Sequence, residues 1–284
     1  MRYSRTGVIA VLIAAELFIA AVIIVSAGGL RTFSAAGSAH DISYSPYSLP
    51  AVDAGSHPHV VIDDADSRVT VTPSSDGQVH VTDATRMSGW GWGSKPQHLQ
   101  VRKTADGVTI ERPATPGNTM IFGFQSSRTA VALPAGATIE ILHSGGADLS
   151  DLTGTISVHS DDGHVTATNV RTANLTMNTA DGHITLDNVD TDNLDVSTMD
   201  GSIRASNLRA RNGKAHTMDG SITLAFADAG NVTVHAHTLD GSIHINGISQ
   251  NDGSPIEYKL GNGSGSLDVA TQDGSIRVFT NGAN

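Results

Sequence analysis

Apolar and polar positions follow three different rhythms along this chain. From Gly7 to Ala27 the run is apolar almost without interruption. From about position 29 to 58 no apolar period survives, and small, polar and proline residues dominate, as in Ser34-Ala35-Ala36-Gly37-Ser38 and Tyr44-Ser45-Pro46-Tyr47. From His59 on, apolar residues return at every second position in short bursts: Val60 with Ile62, Val69 with Val71, Val79 with Val81, Leu99 with Val101, and Val108 with Ile110. Thr129 to Leu133 and Ile139-Glu140-Ile141 continue the alternation. A period of two marks a half-buried strand, and Asp76-Gly77 and Asp106-Gly107 supply turns between bursts. No helical period of useful length follows Ala27, so the remainder is predicted to be all β.

One phrase recurs within the alternation. Asp-Gly-Ser-Ile begins at Asp200-Gly201, Asp219-Gly220, Asp240-Gly241 and Asp273-Gly274, with variants at Asp162-Gly163-His164-Val165 and Asp181-Gly182-His183-Ile184. The step from Asp162 to Asp181, Asp200 and Asp219 is nineteen residues each time, then twenty-one to Asp240 and thirty-three to Asp273. A fixed period of that size signals stacked units. The unit from Asp181 reads as an Asp-Gly turn, a strand Ile184-Thr185-Leu186, a turn at Asp187-Asn188-Val189 and a strand Leu194-Asp195-Val196. Side chains two apart share a face, so Ile184, Leu186, Leu194 and Val196 point inward. In the next unit Lys214 and His216 stand where Leu and Val are expected, which offsets the inward pair to Gly213 and Ala215.

A single unit of this size cannot bury enough apolar surface to fold alone. Stacking adds backbone ladders about 4.8 Å apart and closes the core between neighbours. The prediction is an all-β chain: a β-solenoid of coils of about 19 residues over 139–284, preceded over 59–138 by a β segment that caps it or forms its first coils. Open strand edges at the ends need covering. The stretch from Gly247 to Gly265, with Pro255, is expected to leave the stack as a loop, or as a hairpin through Ile256-Glu257-Tyr258.

The first apolar run sets the organisation before that. As a helix its twenty-one residues span about 31 Å, the thickness of a bilayer core. A cleavable signal peptide is the rival reading, with Val25-Ser26-Ala27 as its cleavage site, but such signals have apolar cores of about 7–15 residues. A cytoplasmic tip and single transmembrane helix are therefore expected over 1–28, with the membrane met through residues 7–27, and a flexible linker over 29–58. Arg2 and Arg5 precede the run and Arg31 follows closely, which places the N-terminus in the cytoplasm and the folded part outside, in the periplasm or at the cell surface. Glu16 sits mid-span, where a charge costs about 2.5–3.5 kcal/mol. It either stays protonated or meets a membrane partner.

Charge and composition narrow the partners. Seventeen Lys and Arg against 28 Asp and Glu leave a net charge of −11. That balance argues against nucleic acid or an anionic membrane surface as the main partner. With no cysteine, disulfides, thiol catalysis and cysteine-ligated zinc are excluded. Thirty glycines and only 4% aromatics suit a turn-rich stack better than an enzyme with a deep aromatic pocket.

The phrases Val131-Ala132-Leu133-Pro134-Ala135-Gly136 and Ile139-Glu140-Ile141, followed by serial Thr-x-Asp-Gly-Ser-Ile units, resemble the bacterial "putative adhesin" domain family of unknown function over about residues 60–280. The resemblance implies a β-solenoid, commonly extracytoplasmic and often tethered by one helix. It implies no established ligand and no catalytic residue.

Several columns invite chemistry. Stacking brings the carboxylates of Asp162, Asp181, Asp200, Asp219, Asp240 and Asp273 into one file, where neighbours about 5 Å apart repel and calcium would relieve them. Against calcium, the metal-binding nonapeptide repeat is absent, and Asp-Gly is what a tight turn demands, Asp bonding its own turn and Gly at positive φ. Asn169, Asn188 and Asn207 mark the other turn, where Asn tolerates left-handed backbone and its amides stack in a ladder. Of thirteen histidines, His164 and His183 share a column and His235 and His237 lie two apart, but no third zinc ligand has a defined place. Trp90 and Trp92, in Gly89-Trp90-Gly91-Trp92-Gly93, and Phe122 and Phe124 either cap the solenoid or grip a partner. Arg204, Arg209, Arg211 and Lys214 form the basic patch that a carbohydrate-active solenoid enzyme would need.

No nucleophile elbow, zinc-protease helix or phosphate loop is present, so no catalytic, cofactor or metal residue is assigned. Gly163, Gly182, Gly201, Gly220, Gly241 and Gly274 with their Asp partners are assigned to structural turns, and Trp90, Trp92 and Glu16 to partner contacts. The expected function is a non-catalytic binding or scaffolding surface for an envelope protein or glycan. A regulatory or sensory subunit acting with a membrane partner is the first alternative, and a carbohydrate-active enzyme the second.

Overall fold

The computed structural model describes residues 38–43, 46–65, 67–92, 97–113, 119–228, 231–251 and 253–281, with side chains described at these positions except 38–43, 87–92 and 119–125. The anchor predicted over 1–28, with Glu16, lies outside the described residues, as do 29–37, 44 and 45 of the linker predicted over 29–58; the described part of that linker holds two short strands, Ser38–Ser43 and Tyr47–Ser48. Among the described residues no helix is long and apolar enough to cross a membrane.

Every described element is a strand. In chain order they are β1 (Ser38–Ser43), β2 (Tyr47–Ser48), β3 (His59–Asp64), β4 (Ser67–Pro73), β5 (His80–Trp92), β6 (Gln100–Lys103) and β7 (Gly107–Glu111). There follow β8 (Thr119–Leu133), β9 (Thr138–Ser144), β10 (Ala147–Ser150), β11 (Ile156–Ser160), β12 (Val165–Thr179), β13 (Ile184–Thr198) and β14 (Ile203–Asp219). The last are β15 (Ile222–Phe226), β16 (Val232–Asp240), β17 (Ile243–Ile245), β18 (Ile248–Gln250), β19 (Ile256–Leu260), β20 (Gly265–Asp273) and β21 (Ile276–Thr280). Contacts divide the chain into two compact units. In the smaller, β1 pairs antiparallel with the Arg86–Gly91 stretch of β5. The larger holds the repeats.

The larger unit is a stack of parallel coils. Val165, Ile184, Ile203, Ile222, Ile276 and Ile243 follow one another in register, as do Leu175, Leu194, Gly213, Leu267 and Val234. All of these apolar side chains are buried in one continuous core, and so are Val60, Ile62, Val69, Val71, Val108 and Ile110. Gly213 and Ala215 pair with Leu194 and Val196, so the inward pair in that coil is indeed the small one.

Each 19-residue coil has three inward runs, not the two that the alternation suggests. Along β12 the buried positions are 165 and 167, then 170 and 172, then 175, 177 and 179. The phase slips by one at Asn169 and again at Ala173. Asn169, Asn188 and Asn207 have φ of 54°, 55° and 51°, the left-handed conformation that Asn tolerates better than most residues. A single such residue turns the chain without a loop, so Val189, read as part of a turn, is buried and paired with Val170. The Asn188 amide donates to Asn169 Oδ1 at 2.9 Å, and Asn169 donates to Asp151 at 3.1 Å.

At the Asp-Gly corner the glycines are needed for a different reason from the one expected. Gly241 and Gly274, at φ of 154° and 153°, do have the expected positive φ, but none of Gly163, Gly182, Gly201 and Gly220 lies in the left-handed region. Instead each sits directly against the backbone of the previous coil. A Cβ on Gly201 would lie 2.1 Å from the carbonyl oxygen of Gly182, and one on Gly182 would lie 2.0 Å from that of Gly163. Only a hydrogen fits there. Beside each glycine a buried threonine closes the corner: the Thr198 hydroxyl faces the Gly182 and Ala180 carbonyls at 2.9 and 3.1 Å, and Thr217 repeats this with Gly201 and Met199 at 2.8 and 3.3 Å. These hydroxyls give the glycine carbonyls a partner at the break in the ladder, where an orphaned buried acceptor would be costly, while the Ala180 and Met199 carbonyls also accept backbone N–H groups of the next coil.

The coil order departs from the chain order. The coil of β20 and β21 lies between that of β14 and β15 and that of β16 and β17. At the other end β3 lies between β7 and β9, and β4 between β8 and β10. Antiparallel strands then cover the outer edges: β6 on β7, β19 on β16, and β18 on β17. The stretch from Gly247 to Gly265 thus supplies two edge strands, β19 containing the Ile256-Glu257-Tyr258 segment.

Gly201→Ala should lower the unfolding free energy by about 1–3 kcal/mol or more, because backbone rather than a movable side chain stands in the way. Gly145→Ala, where the nearest atom to an added Cβ is 3.4 Å away, should change it by less than about 0.5 kcal/mol. Urea melts of the pair check this. Thr198→Val keeps the volume and removes the hydroxyl, and should cost about 1–3 kcal/mol in the same measurement.

Candidate functional site

The threonine column is the floor of an open trough along the stack. One wall is the column just before each Asp-Gly, occupied by Asp161, Ala180, Met199, Met218, Gln272 and Leu239. The other wall is polar but for one alanine, with His159, Asn178, Ser197, His216, Ala270 and His237. The trough encloses about 730 Å³. Met199, Met218 and Leu239 are 53%, 45% and 66% exposed, whereas the apolar residues at 203, 222 and 243 just beyond the corner are fully buried.

The six corner carboxylates form the next column, beside the apolar wall. Asp162, Asp181, Asp200, Asp219, Asp273 and Asp240 are all exposed. Among the described residues none of them bonds a backbone group of its own turn, so the turn-closing role expected for Asp passes to the buried threonines. Among the described residues none forms an ion pair either. Four basic side chains of the stack pair with other carboxylates: Arg171 with Asp190 at 3.3 Å, Arg211 with Asp192 at 3.5 Å, Lys214 with Asp195 at 3.1 Å and Arg209 with Asp228 at 3.2 Å. Among the described residues no group of three or more His, Asp and Glu could hold a metal ion.

The remaining sequence candidates scatter. His164 and His183 stack with ring centroids 4.9 Å apart, and their Nδ1 atoms accept the backbone N–H of His183 and Ser202 at 3.0 and 2.9 Å. Their ring nitrogens thus hold the next coil in place. His235 and His237 are both exposed, and His235 lies 3.8 Å from Glu257. Trp90 and Trp92 lie in β5, but their side chains, like those of Phe122 and Phe124, are outside the described set. Of the basic patch, Arg209 and Arg211 line a second cleft of about 550 Å³ together with Asp190 and Asp192, Lys214 is paired as above, and Arg204 is exposed.

A buried polar cluster has no counterpart in the sequence reading. Arg112, its side chain 9% exposed, donates to Asp64 at 2.8 and 3.1 Å and to Asp83 at 2.8 and 3.3 Å. Thr129 donates to Asp64 at 2.6 Å, and the Leu99 N–H to Asp83 at 3.3 Å. Burial opposes the charge on Asp83, yet the Arg112 hydrogen bonds and charge outweigh it and hold the carboxyl below its ordinary range. Burial likewise opposes charge on Arg112, and the two carboxylates overcome that too, so its proton is held more firmly than usual. No substrate-sized cavity adjoins these groups among the described clefts, and the one guanidinium is hydrogen-bonded to both carboxylates. The cluster ties β3, β5 and the end of β7 together.

Parallel coils on a 19-residue period, closed at their edges by antiparallel strands, define a repeat-built β-solenoid of the toastrack type. The chain belongs to the Toastrack DUF4097 family, whose model matches residues 57–208 and 143–279. No curated protein matches it in sequence. Among solved structures it is similar to a "putative adhesin" from Bacteroides fragilis NCTC 9343 (13% identity, 84% of this chain and 98% of that one, TM-score 0.44). It is also similar to one from Parabacteroides merdae ATCC 43184 (10%, 84% and 95%, TM-score 0.41) and to a "putative cell adhesion protein" from Clostridium sporogenes ATCC 15579 (12%, 84% and 100%, TM-score 0.37).

Arg112→Leu strands two buried carboxylates and should cost about 3–5 kcal/mol at pH 7. With Asp83 depressed in the folded state, its contribution is complete above the unfolded value of about 3.9 and is lost as pH falls through the lower folded one. In the variant, protonation relieves the stranded charge. The stability gap between wild type and Arg112→Leu should therefore shrink on acidification from pH 7 to 3, as read by urea melts at each pH.

Proposed function

We propose that the chain is a membrane-anchored, extracytoplasmic β-solenoid that works as a non-catalytic binding or scaffolding surface, with the trough as its contact strip. The observation that carries this reading is the column of Met199, Met218 and Leu239. Equivalent positions in neighbouring coils hold Asp161, Ala180 and Gln272, so the fold accepts charged, small or amide side chains there. Large apolar residues at an exposed position the fold leaves indifferent are best explained by something that covers them. Methionine, unbranched and polarisable, adapts to such contacts.

Anchoring rests on the apolar run from Gly7 to Ala27 with Arg2 and Arg5 before it. Glu16 in the middle of that run favours a second reading, in which the solenoid is the outer part of a regulatory or sensory assembly held through a membrane partner.

Removing residues 1–28 should move the protein from the membrane to the soluble fraction; persistence in the membrane pellet would count against the anchor. Met199→Ser with Met218→Ser should leave the melting temperature within about 2 °C, since both side chains are half exposed, and should abolish retention of isolated cell-envelope material. Retention equal to wild type would remove the trough from the account. Glu16→Leu, by contrast, should release a co-purifying membrane protein only if the second reading holds.

A further inference from the structure

The trough and the carboxylate column run side by side for the same six coils. Six coils make five steps of about 4.8 Å, a strip about 24 Å long. Met199, Met218 and Leu239 on one wall of the trough would accept apolar side chains laid along it. Next to the wall stand six exposed carboxylates with no cation paired to them among the described residues, on a chain of net charge −11. A ligand that fills the trough must pass within one residue of that column.

We propose that the strip docks a cationic amphipathic helix from a partner polypeptide, its apolar face seated on Met199, Met218 and Leu239 and its Lys or Arg residues against Asp181, Asp200 and Asp219. This rests on the reading of the trough as a contact strip and names its occupant. The repeat distances select a helix over an extended chain. A helix brings a side chain back to one face every 5.4 Å, close to the coil spacing of about 4.8 Å, and the strip accommodates about sixteen residues. An extended strand repeats its face every 6.6–6.8 Å or so and falls out of step within two coils. Docking of this kind reads apolar anchors at i, i+3, i+4 and i+7. The carboxylates add attraction and direction, and that part weakens with salt.

The test uses the full chain in phosphatidylcholine nanodiscs and a labelled sixteen-residue Leu/Lys peptide with leucines at helical spacing, read by fluorescence anisotropy. A scrambled peptide of the same composition and a Leu/Glu peptide with the same spacing serve as comparisons, and empty nanodiscs set the background. The expected result is saturable binding at least tenfold tighter than either comparison peptide. Asp181→Asn with Asp200→Asn and Asp219→Asn should weaken it at least tenfold and flatten its salt dependence. Met199→Ser with Met218→Ser should weaken it as much and leave the salt dependence in place. Equal binding of the scrambled peptide, or of the Leu/Glu peptide, overturns the proposal without any substitution being needed. So does wild-type affinity in either variant. Retention of envelope material that depends on Met199 and Met218, with no binding of the Leu/Lys peptide, overturns the occupant while the contact strip stands.

Discussion

The structure depends on one close approach. At every Asp-Gly corner an α-carbon lies so near the carbonyl of the coil before it that no side chain fits between them. Because backbone meets backbone there, coils can stack at strand spacing through the corner as well as along the flat runs. The buried threonines then face the carbonyls that the corner takes out of the ladder, and the left-handed asparagines turn the opposite corner without spending residues on a loop. Glycine, threonine and asparagine thus divide the work of bending a strand that must remain in register with its neighbours.

That division leaves the outer corner position unconstrained, and there the stack shows its variable chemistry. The residue before each Asp gives its carbonyl to the next coil's N–H groups, while its side chain points away from the core and takes no part in the bonds that close the corner. Aspartate, alanine, glutamine, methionine and leucine all occur in that one column. A fold with rigid corners and permissive corner side chains is well suited to presenting a linear pattern at a fixed pitch.

Much of this was legible in the residues. The period of two around Val60, Val69 and Val108 marked strands that are fully buried on one face, and the nineteen-residue step marked the stack. Asn169, Asn188 and Asn207 were readable as a corner because few other residues accept that backbone. Four things were not readable. The role of Gly201 depends on an atom nineteen residues away, and a local rule about turns gave the wrong reason for the right residue. Val189 and Thr191 form a third inward run that a phase slip hides from any strict alternation. Asp64, Asp83 and Arg112 lie far apart in the chain with no local pattern, and only tertiary packing brings them together. The trough failed to register for a related reason: Met199, Met218 and Leu239 look like core residues until the corner geometry turns them outward.

The interleaving of coils at both ends carries a consequence for how such a chain can change length. A nineteen-residue duplication between Gly182 and Gly220 would add one more rung to a sequential ladder, since each coil there follows its neighbour in the chain. No such extension is open at the C-terminal end. There the coil of β20 and β21 is wedged between two that precede it in the chain, so the coil of β16 and β17 has no neighbour on that side until β20 and β21 have been made. Whole coils can thus be added or removed in the sequential middle, whereas a change in an interleaved coil has to be matched by two neighbours that are distant in the chain.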